Sequence, residues 1–424
     1  MGGQLGLGAR YFRCMNMTIN KAYSMPFPEA VTASLRLKPK RDKPVRNRHP
    51  WIFSGAIQRV DGNPMHGDLV AVESHKGEFL ATAYYNVNSQ IRGRILSWQD
   101  TELDAEWWRD KIRSAVYRRQ LLDINASAVR LINGEADQIP GLIVDRYGDY
   151  LVMQCLTWGI DRRKQMLAEI LAQEFRPKAI IERSDADVRR KEGLMREKGV
   201  LLGEEPPAEL IVQENGIQFG VNLLHGHKTG LYLDQRRNRE IVGGFSAEKE
   251  ILNVFSYTGG FGVYAAQAGA KSVINIDSSV SALEQAERNF ALNGFEDESR
   301  YEFIAANAFD LLRHYRDSGQ QFDIIVLDPP KFAHSPRDVD KASRGYKDLN
   351  WLAMKLLRPN GLLATFSCSG SISAELFQKI VFGAAVDAQR NAQLIQPLAQ
   401  ASDHPTLLTF PESFYLKGLL CRVW

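Results

Sequence analysis

From about Gly216 to the end of the chain, short apolar runs alternate with segments of helical length, and this alternation limits the fold more than any other feature. EILNVF, SVINID, YEFIAA, FDIIVLD and GLLATFSC are apolar runs of strand length, separated by stretches such as SALEQAERNFALNG, which ends on a C-capping glycine. Strand–helix alternation of this kind predicts an α/β fold built on a doubly wound parallel sheet. The closing segments HPTLLTF and FYLKGLLCRVW read as a final antiparallel pair. In such a sheet a ligand sits beyond the carboxyl ends of the strands, so the residues just after each run carry the information.

After the first run comes NVFSYTGGFGVYAA, where Gly259 and Gly260 permit a tight turn and close approach to a ligand. Residues 260–265 also fit G-x-G-x-x-A, a weak signal by itself. The second run ends on Asp277, whose carboxylate suits a ribose diol, while Ser278 and Ser279 offer a helix cap. Asn307 follows the third run, as an acceptor for an adenine amine or as a cap. The fourth ends in VLDPPKF: two prolines cannot donate to a ladder, so Asp328-Pro329-Pro330 is a rigid exit from the sheet. A carboxylate on a stiff wall suits a flat base, and hydride transfer has no need of it. The fifth run ends at Cys368. If strands four and five are neighbours, Asp328 and Cys368 face one crevice.

The four cysteines, Cys14, Cys155, Cys368 and Cys421, show no C-x-x-C spacing, which argues against a zinc ribbon, a dithiol pair or a secreted disulfide scaffold. His225 and His227 lack further ligands nearby, so no metal is expected. At 424 residues the chain exceeds one ordinary domain. Its net charge of +3 leaves polyanion binding to local basic patches. No apolar run reaches the roughly 18 residues of a membrane span, and the N-terminus lacks a signal-peptide pattern, so a cytoplasmic protein is expected.

Residues 1–32 read as a poorly ordered extension, and 33–105 as a small β-barrel with strands in HPWIFSGAI, GDLVAVES, GEFLATAYY and IRGRILSW. The basic lead-in LRLKPKRDKPVRNRHP is either a solvated arm or a phosphate-binding patch. Residues 106–215 read as an α+β module: a helix burying Trp108, Ile112, Ala115 and Val116, a hairpin turning at Gly148-Asp149, then a helix and a strand. Residues 216–424 hold the parallel sheet.

NVFSYTGGF, DPPKF and FSCSG resemble motifs I, IV and VI of class I S-adenosylmethionine-dependent methyltransferases. With NRHPWIFSGA, NGEADQIPGLIVDRYGD, HGHKTGLYLDQR and RGYKDLNWLAMKLL, the likeness runs from about Ser34 to the C-terminus. It is to the ribosomal RNA large subunit methyltransferase I family, whose members make 5-methylcytosine. The resemblance implies an N-terminal PUA domain, a linking domain and a Rossmann-like methyltransferase domain. It implies S-adenosyl-L-methionine as cofactor, held by Phe255, Ser256, Tyr257, Thr258, Gly259, Gly260, Asp277, Asn307, Gln235 (within LDQR) and Asp328. Pro329, Pro330, Lys331 and Phe332 would contact the base or its RNA, with large-subunit ribosomal RNA as partner. Asn307 departs from the acid often found there, and an amide oxygen still accepts an amine.

Chemistry then gives Cys368 a task. Cytosine C5 is a weak nucleophile, and a thiolate on C6 turns it into an enamine-like carbon. The thiolate requires stabilisation, for which the N-terminus of a helix starting near Ser371 is one source. Asp328 would bond the N3/N4 edge, and KFAHSPRDVDKASRGYK would be either a loop closing over RNA or a plain solvated loop. Two other readings stay open: a base N-methyltransferase, in which Cys368 only packs, and a non-catalytic RNA-binding protein with a vestigial pocket. Oligomeric state, a homodimer included, is left open.

Overall fold

The computed structural model describes residues 29–31, 33–226, 229–333 and 335–424. The N-terminal region is a six-stranded sheet whose edge strands, Trp51–Phe53 and Ile57–Asp61, follow one another in the chain. That three-residue connection brings the two edges round toward each other over a core of Leu35, Val70, Val72, Ala83 and Ile95. The basic lead-in is no free arm. Ala33–Leu37 is an interior strand with alternating burial, and Arg36 pairs with Glu73 at 2.6 Å across the parallel register. Residues 1–28 and 32 lie outside the described residues, but Glu29 forms an ion pair with buried Arg163.

The central module is a five-stranded sheet packed on helices Ala105–Gln120 and Lys164–Phe175. Trp108, Ile112, Ala115 and Val116 are buried at the expected spacing, and Asp104 caps the first helix by accepting from Trp107 N at 2.8 Å. Gly148 turns the predicted hairpin at φ +56°. The expected division at 215/216 falls inside a second hairpin, Leu210–Glu214 paired with Ile217–Val221, which no boundary can cut. This hairpin is a bracket. Asn289 Oδ1 in the next unit accepts from Gly220 N at 2.8 Å, while Glu214 bridges back to Ala126.

The C-terminal sheet has seven strands: β1 (Glu250–Val254), β2 (Ser272–Asp277), β3 (Tyr301–Ala305), β4 (Phe322–Leu327), β5 (Leu357–Ser367), β6 (Ala392–Ala399) and β7 (Lys417–Val423). Their order is β3-β2-β1-β4-β5-β7-β6, with β7 antiparallel to both neighbours. The order reverses between β1 and β4, which opens a crevice at their carboxyl ends. Helices Gly260–Gln267 and Val280–Leu292 share one core cluster, and Ala308–Asp317, Val339–Leu356 and Ala374–Ala388 share the other.

Two sequence expectations fail here. HPTLLTF forms only an isolated bridge between Leu407 and Phe410, with prolines on either side of it, and the antiparallel partner of β7 is β6. β6 is a largely exposed edge strand in which Gln393, Gln396 and Pro397 break up the apolar residues. KFAHSPRDVDKASRGYK is not a long loop either. Ser335 and Asp338 form a capping box, and the helix from Val339 buries Ala342 and Tyr346. Among the described residues no helix is long and apolar enough to cross a membrane.

Candidate active site

The first half of the crevice is made of main chain. After β1 the chain turns through Phe255 (φ +61°), Tyr257 (φ +47°) and Gly259 (φ +76°) before the helix from Gly260 begins. Left-handed backbone at bulky residues costs about 1–3 kcal/mol each, and fixed contacts hold it here. Ser256 N donates to Ile276 O at 2.8 Å, Tyr257 N to Asp277 Oδ2 at 2.9 Å, and Asn289 Nδ2 to Thr258 O at 2.9 Å. A Cβ on Gly259 would lie 2.9 Å from Ala286 Cβ, so glycine is required for space as well as conformation. Asp277 also accepts from Ser279 N at 2.9 Å, which fixes its carboxylate at the end of β2. Helix capping falls to Ser279, which accepts from Ala282 N.

The second half is made of side chains. Leu327 on β4 lies opposite Thr365 on the adjacent parallel strand β5. Asp328, half-buried, and Cys368, half-buried, therefore leave neighbouring strands at the same end. Ser367 and Ser369 flank the thiol and are fully buried. Ser369 Oγ accepts from Ala333 N at 3.1 Å and shares a 3.0 Å hydrogen bond with the Tyr346 hydroxyl. This ties the DPPKF exit to the FSCSG turn. Pro329 is buried, and Pro330 and Lys331 are exposed. Phe332 stacks on Phe309 and packs against Tyr346, so much of its ring is committed to the core.

Other cysteines do not compete for the role. Burial pushes Cys421 up to about 11 and Cys155 higher still. Cys14 and His227 lie outside the described residues. The helix expected to begin near Ser371 starts only at Ala374, and Ser373 caps it by accepting from Leu376 N at 3.1 Å. The helix thus begins about three residues later than expected.

Asn307, exposed at the end of β3, caps the next helix by accepting from Phe309 N at 2.9 Å and Asp310 N at 3.4 Å. Gln235 is buried, and its Oε1 accepts from Asn238 Nδ2 at 2.6 Å, beside the end of β6. The structure adds residues that the sequence reading passed over. Tyr232 stacks edge-on against Tyr257 at 5.2 Å, and burial together with Asp328 and Cys368 raises its phenol. Lys417, at the start of β7, lies opposite Ser367 and donates to Ser369 O at 2.8 Å and Tyr415 O at 2.7 Å. A lysine interrupting the apolar run YLKGLLCRVW was the available signal. Far from the crevice, Asp161, Glu182 and Glu197 cluster around Lys164 and Arg189, which balance their charge.

Comparison with known proteins fits this geometry. Residues 35–98 match a PUA-like domain profile, and residues 197–382 match the S-adenosylmethionine-dependent methyltransferase family. The chain is 48% identical over 393 residues to a ribosomal RNA large subunit methyltransferase I of Shewanella amazonensis, covering 92% of this chain and 99% of that one. To the Aliivibrio fischeri protein of the same name it is 47% identical over 396 residues, covering 93% and 100%. A Streptococcus mutans protein described as a SAM-dependent methyltransferase shares the fold, with a TM-score of 0.80 at 23% identity over 92% of this chain and 99% of that one. Another such fold, complexed with SAH, has a TM-score of 0.81 at 23% identity, again covering 92% and 99%. The cofactor is S-adenosyl-L-methionine. The main-chain half fits it: the turn is kept clear of side chains at Gly259, Asp277 is fixed for a diol, and Ser256 Oγ is buried with no partner among the described residues.

Proposed function

We propose that this chain, which belongs to the ribosomal RNA large subunit methyltransferase I family, makes 5-methylcytosine in large-subunit ribosomal RNA through a covalent bond from Cys368 to C6 of the base. The observation that carries this reading is the β4–β5 register, which supports one crevice shared by Asp328 and Cys368. S-adenosylmethionine supplies a methyl group on a positively charged sulfur. Phe255–Gly260, with Asp277, would hold it, and Asp328 would stand between it and the base.

The residues then divide the work. The Cys368 thiolate bonds C6, and the displaced C5=C6 electron pair spreads over C5 and N3, where Asp328 meets the N3/N4 edge. C5 takes the methyl group, leaving the old S–CH3 pair on the departing sulfur. A base removes the C5 proton, that C–H pair re-forms C5=C6, and the Cys368 thiolate leaves. One thiol must attack and depart, since the position after the prolines of DPPKF is Lys331. A paired target base must be flipped out to reach Cys368. The exposed Lys40, Arg41, Lys43 and Arg48 of the PUA-like region, and Lys331 at the crevice, are suited to RNA phosphates. Such a target assigns the protein to the cytoplasm.

Nucleoside mass spectrometry of large-subunit rRNA, incubated with S-adenosylmethionine and wild type or Cys368→Ala, tests the proposal. Wild type is expected to yield 5-methylcytidine and the variant none. A methyl group on nitrogen, or an active variant, would discard it in favour of the N-methyltransferase reading.

A further inference from the structure

Lys417 is a buried cation without an assigned task. It is 5% exposed, and two of its three ammonium donors go to the carbonyls of Ser369 and Tyr415. Buried ammonium groups are ordinarily matched by a carboxylate, because desolvating an unmatched charge is costly. Among the described residues no carboxylate pairs with Lys417. Instead, its register partner is Ser367 and one acceptor is Ser369, the two neighbours of Cys368. The β5–β7 ladder and the Ser369 carbonyl thus bring the ammonium to the FSCSG turn that carries Cys368.

We propose that Lys417 is the counter-cation of Cys368: a positioning residue that holds the thiol as thiolate before RNA arrives. This rests on the reading of Cys368 as nucleophile, and it gives that nucleophile its source of activation. Thiolates form readily beside a lysine in a partly exposed setting.

The Asp328 carboxylate shares the crevice and opposes a second negative charge on Cys368, so a thiolate there needs a nearby cation. Burial pulls Lys417 down to about 8, Cys368 opposes that fall, and Lys331 adds to it. Tyr232 and Tyr346, which also face the thiol, are both raised by burial and remain neutral phenols. Lys331 at the crevice mouth is exposed, which leaves Lys417 as the buried positive charge in this set. The pairing operates below about pH 8, where Lys417 is protonated.

The test is the iodoacetamide alkylation rate of the Cys368 peptide, followed by mass spectrometry from acid to alkaline pH on the full chain without RNA. Lys417→Gln keeps donors for the two carbonyls and drops the charge; Lys417→Arg keeps the charge. Wild type should alkylate with a midpoint below the ordinary thiol value of about 8.5. Near pH 6.5 it should react at least about tenfold faster than Lys417→Gln, with Lys417→Arg within about threefold of wild type. A wild-type midpoint at or above the ordinary value overturns the proposal even if both variants fail to fold. So does a Lys417→Gln profile that overlays wild type. The two readings separate cleanly: a shifted profile without 5-methylcytidine sinks the cytosine chemistry and leaves the pairing, while 5-methylcytidine with an unshifted profile does the reverse.

Discussion

The two halves of the crevice are built from different materials. At the ends of β1 and β2 the surface is main chain, with Phe255, Tyr257 and Gly259 in left-handed conformations pinned by Asp277 and by the carbonyl of Ile276. At the ends of β4, β5 and β7 it is side chain: Asp328, Cys368, Lys417, Tyr232 and Tyr346 come from scattered positions and meet only in three dimensions. A main-chain surface tolerates no extra atoms but asks little of side-chain identity. A side-chain surface is tolerant of backbone detail and depends on each functional group. Damage to one half should therefore look unlike damage to the other.

Cys368→Ala gives the largest effect. Methyl transfer should fall by about three orders of magnitude or more while cofactor affinity, measured by calorimetry, stays within about twofold. Parallel loss of both would mean that the halves are not separate. Gly259→Ala should do the opposite kind of harm. A Cβ at φ +76°, 2.9 Å from Ala286, is expected to weaken cofactor binding at least about tenfold and to cost about 1–3 kcal/mol in urea unfolding. Asp277→Asn comes next, with cofactor affinity down about tenfold, since an amide offers one acceptor where the carboxylate bonds both Tyr257 N and Ser279 N.

Two smaller effects probe single residues. Lys417 drops from its ordinary 10.5 to about 8, so between these values the unfolded chain binds more protons than the folded one. Stability contributed by this group therefore rises with pH across that window. Wild type should gain about 1–3 kcal/mol on Lys417→Gln between pH 8 and 10.5. A flat difference in urea unfolding would show that Lys417 is not buried as a charge. Asn307→Ala should cost about 1 kcal/mol through the lost cap and leave cofactor affinity almost unchanged. A tenfold loss of affinity would instead favour the adenine contact.

The main-chain half was the legible one, because its parts are contiguous. A strand, a glycine turn and a strand-terminal acid sit within a short stretch, and each has a local physical meaning. Asp328 and Cys368 were legible for the same reason, lying directly at strand ends. Tyr232 and Lys417 were not: a lysine interrupting YLKGLLCRVW was the only local sign, and its meaning emerges once β7 is seen between β5 and β6. β6 escaped notice because an exposed edge strand loses the apolar pattern that betrays its neighbours. Within the basic lead-in Arg36 is a related case: it looks solvated in a list of charges, whereas its partner Glu73 comes from a neighbouring strand distant in sequence.

The place of β7 also sets an order of assembly. It is synthesised after β6 yet occupies the slot between β5 and β6, so that slot stays vacant while everything upstream is being made. A nascent chain can carry its glycine turn, its acid and its thiol and still lack the ammonium beside them. The charge arrives only when β7 pairs into the gap between β5 and β6. On the pairing proposed above, the thiol gains its counter-cation only once β7 has paired with β5.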